Sequence, residues 1–380
     1  MNAAEALAPH YAAFRVSERL LLTGHSHQAW PDVGREGVLE AWDDAALAVD
    51  EKWERAFAKA ERVRDGFRGL VGDPHGAIAL DQNTHALVLR FLSALDLGRR
   101  PRLITSDGEF HTLRRQLARL GEAGLQIVHV RARPAESLAE RMADELDDRT
   151  AAVLVSAVLF EDSRIVPGLD ELAEACEARG VELLVDAYHA LGCLPFRLPS
   201  QATWVVGGGY KYLQLGEGNC FLRLPAHADE LRPAITGWYA EFEEMTAEKT
   251  PGAVEYPSGG ARFAGSTYDP TSHYRAARVL DFWADNGLTP EGLRERYLHQ
   301  TTLLARGLAG LGLAVEENRE PFGGFVATEL DGAEAVSRRL AESGVFTDSR
   351  GRHLRLGPAP YVTDDQLDEA LRVLAGCLRT

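Results

Sequence analysis

Lys211 follows the apolar run Trp204-Val205-Val206 and three glycines, Gly207, Gly208 and Gly209, and Asp186 lies twenty-five positions upstream at the end of another apolar run. An amine so placed suits Schiff-base chemistry: it must reach an aldehyde, and small neighbours leave room for a flat cofactor. The carboxylate of Asp186 then has a task, holding a proton on a pyridine nitrogen. Read alone, Lys211 is a solvated surface lysine, the usual place of this residue type. Three further groups reverse that reading. Asp81-Gln82-Asn83-Thr84-His85 opens a helical stretch over 86–95, where free N–H groups and the positive dipole end suit a phosphate; a plain N-cap by Asn83 or Thr84 is the other reading. Asp107-Gly108-Glu109-Phe110-His111-Thr112 follows a strand ending at Thr105, and Phe110 there either stacks on a pyridine ring or joins the core. Asp186-Ala187-Tyr188-His189 delivers Asp186 to a strand's carboxyl edge, where it pairs with a pyridinium or caps a following helix. Four such groups, each at a strand end, make the pattern of a fold-type I pyridoxal-phosphate enzyme.

The elements that must position these residues alternate along the middle of the chain. Strands are expected over 102–105, 126–130, 151–158, 181–185, 204–206 and 219–224, with helices over 112–120, 135–145 and 169–179, the last ending at Gly180. The continuous apolar run 151–158 is typical of a parallel strand covered on both faces. This alternation implies an α/β fold with a mostly parallel sheet. Residues 232–271 are rich in Gly, Pro and Glu and too long for a passive connection. Helical periodicity resumes at 272, and short strands over 324–327 and 353–356 alternate with helices over 333–343 and 363–378. The expected division is an N-terminal segment over 1–45 packed on the small domain, a large cofactor-binding domain over 46–265 and a small C-terminal α+β domain over 266–380.

Composition narrows the partners. With 45% apolar and 26% charged residues, the 380-residue chain is an ordinary globular protein with a sizeable core. A net charge of −16 argues against nucleic acid or an anionic membrane as partner. No long apolar run and no basic, apolar leader are present at the sequence level, so a cytoplasmic protein without a membrane segment is expected. Cys176, Cys193, Cys220 and Cys377 are widely spaced, without metal-ligand spacing, and are read as reduced core residues.

Tyr210-Lys211-Tyr212-Leu213 resembles the lysine motif of the kynureninase branch of the class V aminotransferase superfamily, and the resemblance covers about the whole chain in order. Asp186 and His189 match its D-x-x-H motif, Gly237-Trp238-Tyr239 its GW[WF] segment, Phe263-Ala264-Gly265-Ser266-Thr267 a later segment, and Arg355-Leu356-Gly357-Pro358-Ala359-Pro360 its RxxPxP. The resemblance implies that Lys211 carries the pyridoxal phosphate and moves the Cα proton, that Asp186 protonates the pyridine nitrogen, and that Phe110 stacks on the ring. Thr84, His85 and Tyr210 hold the phosphate by the same reading, with Trp238 and Thr267 from the partner of a homodimer. His189 and Ser156 fall in the cofactor site, Tyr210 is a proton donor for C–C cleavage, and Arg355 clamps the substrate α-carboxylate. The chain departs from the branch at Leu113, where the family has Asp, at Ala240-Glu241, which replace Gly-His, and at Gly24-His25-Ser26-His27-Gln28.

The function so implied is hydrolysis of a Cβ–Cγ bond in kynurenine or a related amino acid, giving alanine and an aromatic acid. The alternatives are an aminotransferase or β-lyase on the same scaffold, or an inactive cofactor-binding accessory protein. A cysteine desulfurase needs a mobile loop cysteine, and neither Cys220 nor Cys377 is placed to be one.

Overall fold

The computed structural model describes residues 3–244 and 251–379. The chain opens with a short helix, α1 (Ala3–Leu7), and a two-residue strand, β1 (Leu20–Leu21), followed by the longer helices α2 (Val33–Ala48) and α3 (Lys52–Leu70). Strands and helices then alternate: β2 (Ala77–Asp81), α4 (Thr84–Ala94), β3 (Arg102–Ser106), α5 (His111–Glu122), β4 (Gln126–Val130), α6 (Leu138–Asp144), β5 (Thr150–Ser156) and α7 (Leu169–Glu177), then β6 (Glu182–Asp186), β7 (Trp204–Gly208) and β8 (Cys220–Leu224). These strands form one sheet in the order β2-β8-β7-β6-β5-β3-β4. Only β8 is reversed: it pairs antiparallel with both β7 and β2, and the other pairs run parallel.

The sheet is buried on both faces, which is why its strands read as apolar runs rather than alternating ones. Successive side chains feed two different cores. Val153, Val155, Leu183, Val185 and Val205 face one cluster, and Leu154, Leu184, Trp204 and Val206 the other. Register brings the strand ends level, Ser156 beside Asp186 and Asp186 beside Val206, so the carboxyl edge presents its polar residues side by side. The run expected over 151–158 ends as a strand at Ser156. Beyond it the Ala157 N–H bonds the Asp186 carbonyl at 2.9 Å, and Val158 turns away to bridge Ile165.

After the central sheet, short 3-10 turns at Trp238–Glu244 and Gly259–Phe263 lie in the segment read as irregular. The C-terminal part contains α8 (Thr271–Asp285), α9 (Pro290–Gly310), β9 (Val326–Glu329), α10 (Ala333–Glu342), β10 (Val345–Phe346), β11 (Asp348–Arg350), β12 (His353–Leu356) and α11 (Asp364–Leu378). Strands β11, β12 and β9 form an antiparallel sheet, and β10 pairs in parallel with β1. The strand expected over 324–327 begins only at Val326, where pairing with Leu356 starts; Gly324 before it is pressed on a ring, and a Cβ there would lie 2.6 Å from Tyr212.

A buried polar chain ties these parts together. Tyr11 donates to Gln214 at 2.6 Å, Gln214 to Gln28 at 2.9 Å, and Gln28 to the Tyr297 hydroxyl at 2.8 Å. Each amide satisfies groups from another part of the chain, so removing one strands its neighbours without water. Gln28→Leu should therefore lower stability by about 1–3 kcal/mol, the desolvation cost of an unsatisfied buried polar group. A lower urea midpoint at unchanged m-value is expected, and an unchanged midpoint would show that the chain contributes nothing.

Candidate active site

Lys211 sits in the loop from β7 to β8, which leaves the sheet at its carboxyl edge. The three glycines before it are demanded by space. A Cβ at Gly207 would lie 2.8 Å from Phe221, at Gly208 2.5 Å from the Tyr188 hydroxyl, and at Gly209 2.7 Å from Leu215. Gly216 and Gly218, with φ of 69° and 86°, then turn the chain back into β8. The result is a buried amine: Lys211 Nζ shares a hydrogen bond of 2.7 Å with His189 Nε2 and lies 5.1 Å from the centre of the Phe110 ring. Burial pushes its basicity down to about 7; Asp186 opposes this, while Arg355 and Arg350 push the same way. His189 is held well below the usual imidazole range by burial and by the charge of Lys211, so it is neutral.

Asp186 ends β6. Its Oδ1 accepts from the Tyr188 N–H at 2.8 Å, so it caps a turn rather than the helix the sequence also allowed. Burial raises its proton affinity, opposed by that amide and by Lys211. A second carboxylate lies close behind. Glu109 is buried, with Ser106 donating to it at 2.6 Å and Ser156 donating through its hydroxyl at 2.5 Å and its N–H at 3.2 Å. Burial pushes Glu109 up to about 7 against these donors, and the charge of Asp186 adds to the rise. The sequence reading quoted Glu109 without a role. It also placed Ser156 in the cofactor site, but its hydroxyl is taken by Glu109 and it does not wall the cavity.

Between these groups lies a cavity of about 560 Å³, walled among others by Thr84, His85, Phe110, Asp186, His189, Tyr210 and Lys211. Asn83 caps α4 by accepting from the Ala86 N–H at 2.9 Å, and Thr84 and His85, ahead of that capped group, line the cavity. Both readings of the segment thus hold at once, a cap by Asn83 and a helix N-terminus opening on a cavity. Tyr210 packs under His27, their ring centres 4.9 Å apart, and burial pushes its hydroxyl up to about 12. Leu113, where the resemblance had Asp, is buried in the apolar core beside α4.

Besides Ser156, three expected site residues lie outside this cavity. Trp238 and Thr267 bond each other, Nε1 to Oγ1 at 2.8 Å, and Trp238 is 40% exposed. They are carried outward by a segment anchored at Phe263, which is buried against Trp204, and at Gly265, which has no space for a Cβ beside Arg90 and Asp81. Arg355, on β12, is buried just beyond the wall. Its Nη2 donates to Asp348 at 2.6 Å, its Nε to the other Asp348 oxygen at 3.2 Å, and its Nη1 to the Phe160 carbonyl at 2.7 Å. Burial alone would raise Asp348, yet the nearby His25 ring, 3.6 Å away, and the hydrogen bonds from Arg355 hold it well below the usual carboxylate range. Asp348 and His25 had no role in the sequence reading. The hairpin around Gly351, which sets Asp348 opposite Arg355, was the available signal.

No protein-family model matches the chain. It is 28% identical over 364 residues to isopenicillin N epimerase of Streptomyces clavuligerus, a match covering 87% of this chain and 88% of that one. It is 22% identical over 346 residues to the uncharacterized aminotransferase YcbU of Bacillus subtilis (strain 168), covering 89% of each. Among solved structures, a mutant of C-DES with glycine covalently linked to its PLP cofactor superposes with a TM-score of 0.86 at 18% identity, over 97% of this chain and 98% of that one. A cysteine desulfurase from Thermococcus onnurineus NA1 superposes with a TM-score of 0.82 at 17% identity, over 100% and 99% of the two chains.

The fold is class V aminotransferase-like, of fold type I. These relatives do not single out a kynureninase branch, so the sequence resemblance holds only at the level of the wider class V fold.

The walls of the cavity suit pyridoxal phosphate on their own chemistry. Among the described residues the Asp186 carboxylate accepts only from the Tyr188 N–H, which leaves its other oxygen to take a pyridinium proton in the cavity. Lys211 would hold the aldehyde carbon, Phe110 the ring face, and the start of α4 the phosphate. Only the neutral amine adds to an aldehyde, and Lys211 is lowered from 10.5 to about 7. Addition of pyridoxal phosphate to the cofactor-free protein, followed by absorbance, should thus speed up with pH until about 7 and then level off. A rise continuing toward roughly pH 10, where an ordinary lysine titrates, would contradict this account of the site.

Proposed function

We propose that the protein is a pyridoxal-phosphate enzyme that removes the Cα proton of an α-amino acid, with amino-group transfer or inversion at Cα as its outcome. One observation carries the reading: a buried lysine amine, held near neutrality, shares a cavity with a buried carboxylate, an aromatic face and a helix N-terminus. Bound pyridoxal phosphate supplies an aldehyde for the amino group and a pyridinium ring that accepts the electron pair when a bond to Cα breaks. The protein supplies the rest. Asp186 keeps the ring nitrogen protonated, and Phe110 holds one face of the ring. Lys211, about half neutral near pH 7, takes the Cα proton and can return it to another atom on the same side, as amino-group transfer requires, whereas inversion needs a proton delivered to the opposite face of Cα. His189, itself neutral, orients the Lys211 amine without adding charge. Arg355 receives the α-carboxylate, which fixes the Cα–H bond toward Lys211. Similarity to a protein named as an epimerase and to one named as an aminotransferase supports a proton-moving step at Cα.

Kynureninase-type hydrolysis is a second reading, favoured by Tyr210. Its hydroxyl lines the cavity and keeps its proton to about 12, so it can give a proton to a leaving carbon. A desulfurase reading has no such support. All four cysteines are buried, and burial pushes the cavity-lining Cys220 thiol up to about 12, away from the reactive thiolate.

We place the protein in a homodimer, with Trp238 and Thr267 reaching the partner's cofactor. Their outward position supports this, as does the exposed apolar surface of Leu39, Trp42 and Leu47 on α2, which a second copy would cover.

Purified protein loaded with pyridoxal phosphate should be yellow, and borohydride should fix the cofactor on Lys211. Protein that stays colourless with added cofactor would sink the reading. In heavy water, L-amino acids should exchange their Cα proton, followed by NMR, and Lys211→Ala should slow exchange by about 10²–10⁴-fold, the usual contribution of a positioned base. Product analysis then separates the outcomes: a keto acid for transfer, the D-isomer for inversion, and anthranilate with alanine from kynurenine for hydrolysis.

A further inference from the structure

We propose that Asp348 is the positioning residue of Arg355, turning its guanidinium so that one N–H on each terminal nitrogen is kept for a substrate carboxylate, and that the Gly24–Ser26 turn holds Asp348 in place. The inference rests on Arg355 as the carboxylate clamp and adds what aims it.

The donor count comes first. A guanidinium has five N–H groups and no acceptor. Asp348 takes one from Nε at 3.2 Å and one from Nη2 at 2.6 Å, and the Phe160 carbonyl takes one from Nη1 at 2.7 Å. Two remain, one on Nη1 and one on Nη2. Donors on both terminal nitrogens of a flat group are what a bidentate contact to a second carboxylate uses. A guanidinium bound to Asp348 through both terminal nitrogens would have spent them. The antiparallel pairing of β11 and β12 sets this edge: Asp348 and Arg355 are opposite each other in register, so their side chains share one face.

Charge points the same way. Arg355 is almost fully buried, and a buried cation without a counter-ion is strongly unfavourable. Asp348 neutralises it. The same Asp348 oxygen also lies 3.7 Å from Nη2 of the half-exposed Arg350. Two cations around one anion leave a net positive charge, and a substrate carboxylate completes the balance. An amine lacking that carboxylate would not.

The N-terminal turn closes the arrangement. Ser26 donates to Asp348 Oδ2 at 2.9 Å, and His25 Nε2 lies 3.6 Å from the same oxygen. His25 stacks on Phe325, ring centres 4.6 Å apart, and the Arg355 guanidinium lies 5.6 Å from the centre of that same ring. The turn is pinned to the chain after β12 by the Gly24 N–H to the Gly357 carbonyl at 2.7 Å and the Gly357 N–H to the Leu22 carbonyl at 2.8 Å. Contact is close enough that a Cβ on Gly24 would lie 2.4 Å from the Pro358 carbonyl oxygen. Residues more than 300 positions apart therefore set the orientation of one guanidinium.

The test uses the loaded enzyme and two probe pairs, L-alanine against ethylamine and L-phenylalanine against phenethylamine. Each pair differs only by the carboxylate, and binding is read from the change in cofactor absorbance. Asp348→Asn should weaken amino-acid binding by roughly 10–100-fold, the size of a lost charge-assisted contact. Amine binding and the cofactor band should stay unchanged, and kcat at saturating substrate should fall less than kcat/KM. Ser26→Ala, which removes one bond to Asp348 and no charge, should give a smaller loss of the same preference. Arg355→Ala is measured beside them. If it abolishes the preference for the amino acid while Asp348→Asn retains it, the positioning role is overturned and the clamp stands. If Arg355→Ala retains the preference, the clamp and the positioning role both fall. Should Asp348→Asn yield no folded, cofactor-binding protein, Ser26→Ala decides: an unchanged preference overturns the inference.

Discussion

Burial of the Lys211 amine is the constraint around which the site is organised. A buried primary amine keeps its proton only at a high free-energy cost, so it must lose basicity or lie against an anion. Here both happen in part: burial lowers it to about 7, and Asp186 opposes the fall. The neighbours follow from the same electrostatics. A charged imidazole at 2.7 Å from the amine would repel it, and His189 is neutral. Arg355 would add a second uncompensated cation, and Asp348 cancels it. Glu109 would add an anion behind Asp186, and it is held by three donors with its proton affinity raised. Each ionisable group near the amine is neutral, paired or both.

Rigid elements make this balance possible. The level ends of β5, β6 and β7 fix Ser156, Asp186 and the start of the lysine loop at one edge. β2 points the same way as β7 because both are antiparallel to β8, so α4 begins at that edge too. The lysine loop cannot swing freely, since Gln214 bonds to Gln28 and Tyr11 and its N–H returns to the Lys211 carbonyl at 3.2 Å. The N-terminal turn thus touches both halves of the site, the loop through Gln28 and the Arg355 edge through Ser26. Any distortion of that turn is felt at both places.

The wall around Lys211 and the more variable loops separate along the same line. The groups that face the cofactor position are set by strand ends and are shared by any enzyme built this way. Away from the strand ends the chain departs from the kynureninase pattern at residues 24–28 and at Ala240-Glu241, which lie in irregular stretches and short turns.

Much of the scaffold was legible in the amino-acid order alone, because a strand buried on both faces must be a continuous apolar run and a helix end must be capped. Those local rules located the strands carrying Thr105, Asp186 and Val206, and with them Lys211, Phe110 and the polar start of α4. Local patterns could not say that Ser156 spends its hydroxyl on Glu109, forty-seven residues away, or that the apolar run through Val158 breaks where Ile165 competes for it. Nor could they show that Arg355 is held by Asp348 and Asp348 by Ser26, or that Trp238 and Thr267 bond each other outside their own chain's cavity. These are pairings of charge and hydrogen bonds between distant segments, and they exist only once the sheet edge has brought the segments into contact. Residue order determined which groups could do chemistry here; tertiary structure decided which of them remain free to do it, because a buried donor or charge must find its partner wherever the fold places one.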